Sequence, residues 1–164
     1  MNAHREFGIP STAAIGRHPV HPMLVPLPIG FLVTAFLIDL TFSVGGGPPL
    51  ATVSAWLIGA GLASGVVAAV AGLVDFIGAP RIRALYHAWY HLIGNVAALT
   101  LAFVNLLLRI GAGFETAVRP WGLLFSAATV GLLVFTGWHG GEMVFGHGVG
   151  MKRHEHRHGE HGAL

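Results

Sequence analysis

The sequence contains no cysteine. That excludes disulfides, thiolate zinc sites, cysteine-held iron–sulfur clusters and covalently attached haem, and it leaves the redox compartment unreadable. Charge is nearly as scarce. Of 164 residues, 9 are Lys or Arg and 7 are Asp or Glu, 10% in all, where a soluble domain carries about 25%. So few charged side chains cannot coat a water-facing surface of this size. An ordinary soluble enzyme and a disordered chain are both excluded. The formal charge of +2 does not mark a nucleic-acid binder, because the basic residues form short clusters between apolar runs. There is also no phosphate-binding loop, nucleophile motif or dinucleotide fingerprint, and Gly140-Gly141 lacks the required spacing.

Apolar length is what the chain has. It is 54% hydrophobic, with a mean hydropathy of +0.69. Four runs reach the ~20 residues that a helix needs to cross a bilayer, at about 23–44, 50–78, 87–110 and 121–145. None alternates as a membrane strand would. The first run begins too late, and ends too polar, for a cleaved signal peptide. Short connections, such as Gly45-Gly46-Gly47-Pro48-Pro49, place sequential helices side by side and antiparallel. The expected fold is all-α: four transmembrane helices in an up-down-up-down bundle. Residues 1–15 precede the 16–150 domain, and 151–164 form a disordered His-rich tail with His154, His156, His158 and His161. No internal repeat stands out.

Four spans put both termini on one side with the second connection. Arg5, Arg17, Arg81, Arg83, Lys152, Arg153 and Arg157 share that side, against Arg109 and Arg119 on the other. The positive-inside rule then makes both termini cytoplasmic, in a multi-pass protein of a bacterial inner membrane.

Ionisable residues within such spans mark functional sites by default. They sort into two layers. Near the cytoplasmic face, His18 and His21 enter the first helix, Asp75 ends the second, His87 and His91 open the third, and His139 and Glu142 close the fourth. Imidazole ligates metals and haem iron, and the i,i+4 and i,i+3 spacings let two side chains reach one centre. Asp75 continues the small-residue stripe Gly61, Gly65, Ala68, Gly72, so it is expected to face the bundle and to hold a ligand's second nitrogen. The outer layer holds Asp39, Asn105 and Arg109, read as a buried pairing cluster. Gly16-Arg17-His18-Pro19-Val20-His21-Pro22 is expected to be extended across the cytoplasmic mouth.

The motifs His18-Pro19-Val20-His21-Pro22, Pro26-Leu27-Pro28-Ile29-Gly30, Asp39, Gly72-Leu73-Val74-Asp75, His87-x3-His91, Gly140-Gly141-Glu142 and His147-Gly148-Val149-Gly150 resemble the bacterial membrane family catalogued as domain of unknown function 2231. The resemblance covers residues 16–150. It implies a four-span inner-membrane domain, and one that also occurs beside Rieske iron–sulfur or cytochrome c modules. That association implies electron transfer and a haem b-like site, with a redox protein partner in trans for this chain. It supplies no catalytic residues.

Three functions follow as expectations. The first is a b-type haem electron carrier, with ligands drawn from His18, His21, His87, His91 and His139. The second is a non-haem site for Zn, Fe or Mn built from Asp75, His87, His91, His139 and Glu142, serving a metal-dependent enzyme or a metal carrier. The third is a structural or assembly subunit of a membrane complex. The expected surroundings are lipid and, as an open alternative, further copies of the chain; no nucleic acid is expected.

Overall fold

The computed structural model describes residues 8–16 and 18–151. The His-rich tail lies outside the described residues. Four helical spans are long and apolar enough to cross a membrane: Val20–Ser43, Pro49–Gly78, Tyr86–Ala112 and Phe114–Gly146. At 1.5 Å per residue even the shortest, 24 residues, exceeds a hydrocarbon core of about 30 Å.

Proline sets where these helices start. The first span joins α1 (Val20–Leu24) to α2 (Pro26–Ser43), and α3 (Pro49–Gly78) and the short α4 (Pro80–Arg83) also begin on proline. A first-turn N–H has no intrahelical partner, so its loss costs nothing there. Pro22 is tolerated inside α1 for the same reason. The helix therefore begins at Val20 rather than at residue 23, and the segment expected to be wholly extended is only partly so. Ala14–Ile15 pairs antiparallel with His18–Pro19 in a two-residue ladder, and the chain is helical from Val20.

The third span is α5 (Tyr86–Ala112). The loop expected at 111–120 is largely helical: α6 (Phe114–Ala117) follows Gly113, whose φ is +89°. Beyond Gly113, helical geometry fails again at Arg119 (φ −112°, ψ 130°), which the following Pro120 bars from the α region. The chain continues as α7 (Leu123–Gly141) and a wide turn, Glu142–Gly146.

Contacts fix the topology. His21 meets Ala68 while Asp39 meets Ser54, so α3 runs antiparallel to the first span. Likewise His91 meets Thr136 and Asn105 meets Ser126, making α5 and α7 a second antiparallel hairpin. Small residues line the seams, as close helix approach in lipid requires. The central cluster is thin: Leu32, Ala35, Ile58 and Ala102. Large apolar side chains such as Trp56, Val66, Val70 and Ile93 point outward, the reverse of a soluble protein and the arrangement a lipid solvent favours.

The second hairpin repeats the burial pattern of the first. Buried Pro28, Leu32, Ala35 and Asp39 of α2 recur 70 positions later as buried Ala98, Ala102, Asn105 and Arg109 of α5. Buried Ser54, Ile58, Gly61 and Ala68 of α3 recur 68 positions later as Gly122, Ser126, Thr129 and Thr136. The residue types differ throughout, so only the packing discloses the repeat.

Packing at these seams can be tested at two glycines of α3. A Cβ on Gly61 would lie 2.7 Å from Leu32 Cγ, whereas one on Gly59 would meet only Leu106 at 4.0 Å. Gly61→Ala is expected to destabilise the bundle by about 1–3 kcal/mol through overpacking, and Gly59→Ala to be near neutral. Thermal unfolding of the two variants in the same detergent compares them.

Candidate functional site

Two imidazoles occupy equivalent places in the two hairpins. His21 of α1 places Nδ1 2.8 Å from the carbonyl oxygen of Ala68 on α3. His91 of α5 places Nδ1 2.8 Å from the carbonyl oxygen of Thr136 on α7. A carbonyl only accepts, so each Nδ1–H donates, and in the neutral ring each Nε2 keeps its lone pair. Glycine makes the room. A Cβ on Gly72 would lie 2.9 Å from the His21 ring, and one on Gly140 would lie 3.1 Å from the His91 ring. Each glycine sits four residues after the accepting carbonyl, one helical turn on. The two rings are perpendicular, with centroids 5.9 Å apart.

A second pair lies at the same end of the bundle. His87 and His139 bring their Nδ1 atoms to 2.8 Å, so the two rings share one proton. Aromatic neighbours hold them: Tyr86 lies 3.9 Å from His87, and Tyr90 stacks on His139 at 5.1 Å with Phe135 edge-on at 4.6 Å. His147, which the sequence reading did not count as a site residue, has its ring 5.7 Å from His87. Its place between Gly146 and Gly148 was the available signal.

The remaining candidates do not join these pairs. Asp75, expected to support a ligand imidazole, is taken by the chain's own N-terminal segment. Its Oδ1 accepts from Ser11 Oγ at 2.8 Å and from the Ala13 N–H at 2.7 Å. Residues 8–16 fold back over this end, and their backbone donors need an acceptor. His18 is exposed in the two-stranded hairpin. Glu142 stands over its own turn, with Oε2 3.0 Å from where a Cβ on Gly146 would sit. Among the described residues, no three His, Asp or Glu side chains gather around one point. The expected five-residue metal set is therefore not assembled as a unit.

The Asp75 latch makes a prediction. Asp75→Ala removes the acceptor of two hydrogen bonds, and bonds to a charged group contribute about 1.5–3 kcal/mol each. Amide exchange at Ala13 is expected to accelerate tenfold or more, while the four spans stay helical by circular dichroism.

The opposite end of the bundle holds Asp39, Asn105 and Arg109 in one buried network. Arg109 Nη2 lies 2.6 Å from Asp39 Oδ2, and both side chains are fully buried. Ser54 donates to Asp39 Oδ1 at 2.6 Å, and Ser126 donates to Oδ2 at 2.7 Å. Asn105 accepts from Arg109 Nε at 3.3 Å and donates to Ser126 and to the Gly122 carbonyl. Sequence reasoning missed both serines, whose type gives no sign of burial. Asp39 and Arg109 are themselves equivalent positions of the two hairpins, so the ion pair joins the two halves.

A family model described as "Predicted membrane protein (DUF2231)" matches residues 17–153. The chain belongs to this family. No curated protein and no solved structure matches it. For this DUF2231 member the chemistry must therefore be argued from the two ends themselves. The Asp39–Arg109 end has at least one donor on each Asp39 carboxylate oxygen and is suited to locking helices together. The histidine end carries unspent nitrogen lone pairs and is suited to ligation. In this family member the glycines beside His21 and His91 lie in the segments Gly72-Leu73-Val74-Asp75 and Gly140-Gly141-Glu142, and their packing role is the physical content of those motifs.

Proposed function

We propose that this membrane protein is an electron carrier holding b-type haem iron between His21 and His91. The observation that carries this reading is the pair of matched imidazoles, each with Nδ1–H committed to a backbone carbonyl. Such a hydrogen bond orients a ligating ring and raises the basicity of the other nitrogen. The number of ligands selects the group. A bare Zn ion takes three or four protein donors. Haem iron brings four nitrogens of its own and needs one or two from the protein. A pair on two different hairpins is the donor set for the second case.

The group would supply one-electron oxidation and reduction. The protein's own part is to hold two nitrogens in place, to exclude water with the apolar flanks of four helices, and to limit reorganisation by fixing both rings. The seven basic residues assigned to the terminal side favour an inner-membrane orientation with the histidine end at the cytoplasmic face. An electron would then pass to a separate redox protein docking there.

The test is direct. The full chain, purified from a haem-replete bacterial host, is expected to carry about one non-covalent haem per chain, extractable into acidified solvent. His21→Ala or His91→Ala should remove most of it, and His154→Ala should remove none. A colourless, iron-free wild-type protein would overturn the proposal.

A further inference from the structure

We propose that residues 8–13 are a lid over the histidine end of the bundle, opening from a fixed base to admit a porphyrin from the aqueous phase at that end. The identity of the ligand rests on the haem reading. The lid itself rests on contacts that involve neither His21 nor His91.

The lid crosses from one hairpin to the other. On the first hairpin it is fastened to α3. Asp75 Oδ1 accepts from Ser11 Oγ and from the Ala13 N–H, and Thr12 lies over Gly78, where a Cβ would stand 2.9 Å from Thr12 Cβ. On the second hairpin it is fastened beyond α7. The Ile9 N–H donates to the Gly148 carbonyl at 3.0 Å, and the Gly150 N–H donates to the Ile9 carbonyl at 2.8 Å. The Ile9 side chain is buried in one cluster with Ile82 and Ala88. Ala88 follows His87 in sequence, and Gly148 follows His147, whose ring lies 5.7 Å from that of His87. The lid thus bridges the seam between the hairpins at the end where the imidazoles converge, and it pins the segment that carries His147.

Its fastenings suit release. Residues 8–13 form no helix and hold on by scattered hydrogen bonds and one apolar anchor, Ile9. A segment with so few buried contacts opens locally and leaves its neighbours folded. The base stays behind: Ala14–Ile15 pairs with His18–Pro19, and the Val20 N–H donates to the Ala13 carbonyl at 2.9 Å. Entry at this end also fits the ligand. A porphyrin with carboxylate side chains pays heavily to cross hydrocarbon, and the flanks of the seam face lipid with residues such as Val66, Val70 and Ile93.

The chain has no cysteine, so Thr12→Cys with Gly78→Cys creates a single possible cross-link. The two Cβ positions are within about 1 Å of a disulfide span. The full-length variant is compared oxidised and reduced in one detergent. Exchange of imidazole C2 hydrogens in D2O, read by mass spectrometry, reports water at each ring. Closing the cross-link is expected to slow exchange at His87 and His91 tenfold or more and to leave exposed His18 unchanged. Asp75→Ala, which needs no cross-link, is expected to speed both buried rings several-fold. Hemin added to haem-free protein should bind at least tenfold more slowly to the oxidised form and reach the same occupancy in both. Hemin bound by neither form would overturn the haem reading, with the exchange rates still deciding the lid. Equal exchange at His87 and His91 with the cross-link open and closed, or no acceleration in Asp75→Ala, would overturn the lid.

Discussion

Asp39→Ala is expected to destabilise the folded bundle by about 3–5 kcal/mol, the cost of leaving a buried charge without its partner. Arg109 is fully buried and its Nη2 donates to Asp39 Oδ2. No aqueous shell replaces that acceptor in the middle of four apolar helices. Three further groups are tied to the same carboxylate directly or at one remove: Ser54, Ser126 and Asn105. Their loss of a common acceptor adds to the effect. The counter-experiment removes both charges. Asp39→Leu with Arg109→Leu should recover more than half of the lost stability, because apolar replacement of a whole buried pair is close to neutral. Ser54 and Asn105 keep backbone partners at Ala35 and Gly122 in that variant. Reversible unfolding in mixed micelles compares the three proteins. Equal damage from the single and double variants would show that the network, rather than the uncompensated charge, sets the cost.

Gly72→Val and Gly140→Val are each expected to abolish the ligation assigned to His21 and His91 as completely as removal of an imidazole. Even a single Cβ would stand 2.9 Å from the His21 ring or 3.1 Å from the His91 ring, inside ordinary van der Waals separation. Valine adds two more carbons on a stiff branch. The ring must leave its place, and its hydrogen bond to Ala68 or Thr136 breaks with it. A loss of tenfold or more in haem retained after purification is the expected result. Gly137→Val is the control, since nothing lies within 4 Å of a Cβ there. Retention of haem in both glycine variants would place the ligands elsewhere.

The four spans were legible in the sequence because membrane solvent demands long apolar helices, and length with polarity is a one-dimensional signal. Boundaries drifted where proline was read as a breaker. Pro22 and Pro26 sit in first turns, where the missing N–H is harmless. The Asp39, Asn105 and Arg109 grouping was legible from helical spacing alone, because polar residues in an apolar span have few places to go. The serines that complete it were not, since serine is equally at home on an exposed face. The histidine end was legible as a layer but not as pairs. Spacing along one helix says that His87 and His91 share a face; it cannot say that His87 turns to His139 while His91 turns to Thr136. Asp75 was assigned inward from its stripe, and the stripe was read well as far as Ala68, which is buried. One turn past Gly72 the helix end meets residues 8–16, a segment with no periodicity to announce where it folds. The repeat between hairpins was invisible for a related reason: burial is repeated while residue type is not.

The measurement closest to the central claim is low-temperature electron paramagnetic resonance of the oxidised protein as purified, alongside His21→Ala and His91→Ala. Were His21 and His91 both to hold haem iron, two imidazole donors would make it low-spin. The account predicts such a low-spin signal in the wild type, with conversion to high-spin iron, or loss of iron, in either single variant. An iron-free wild type, or a low-spin signal that persists in His91→Ala, would contradict it.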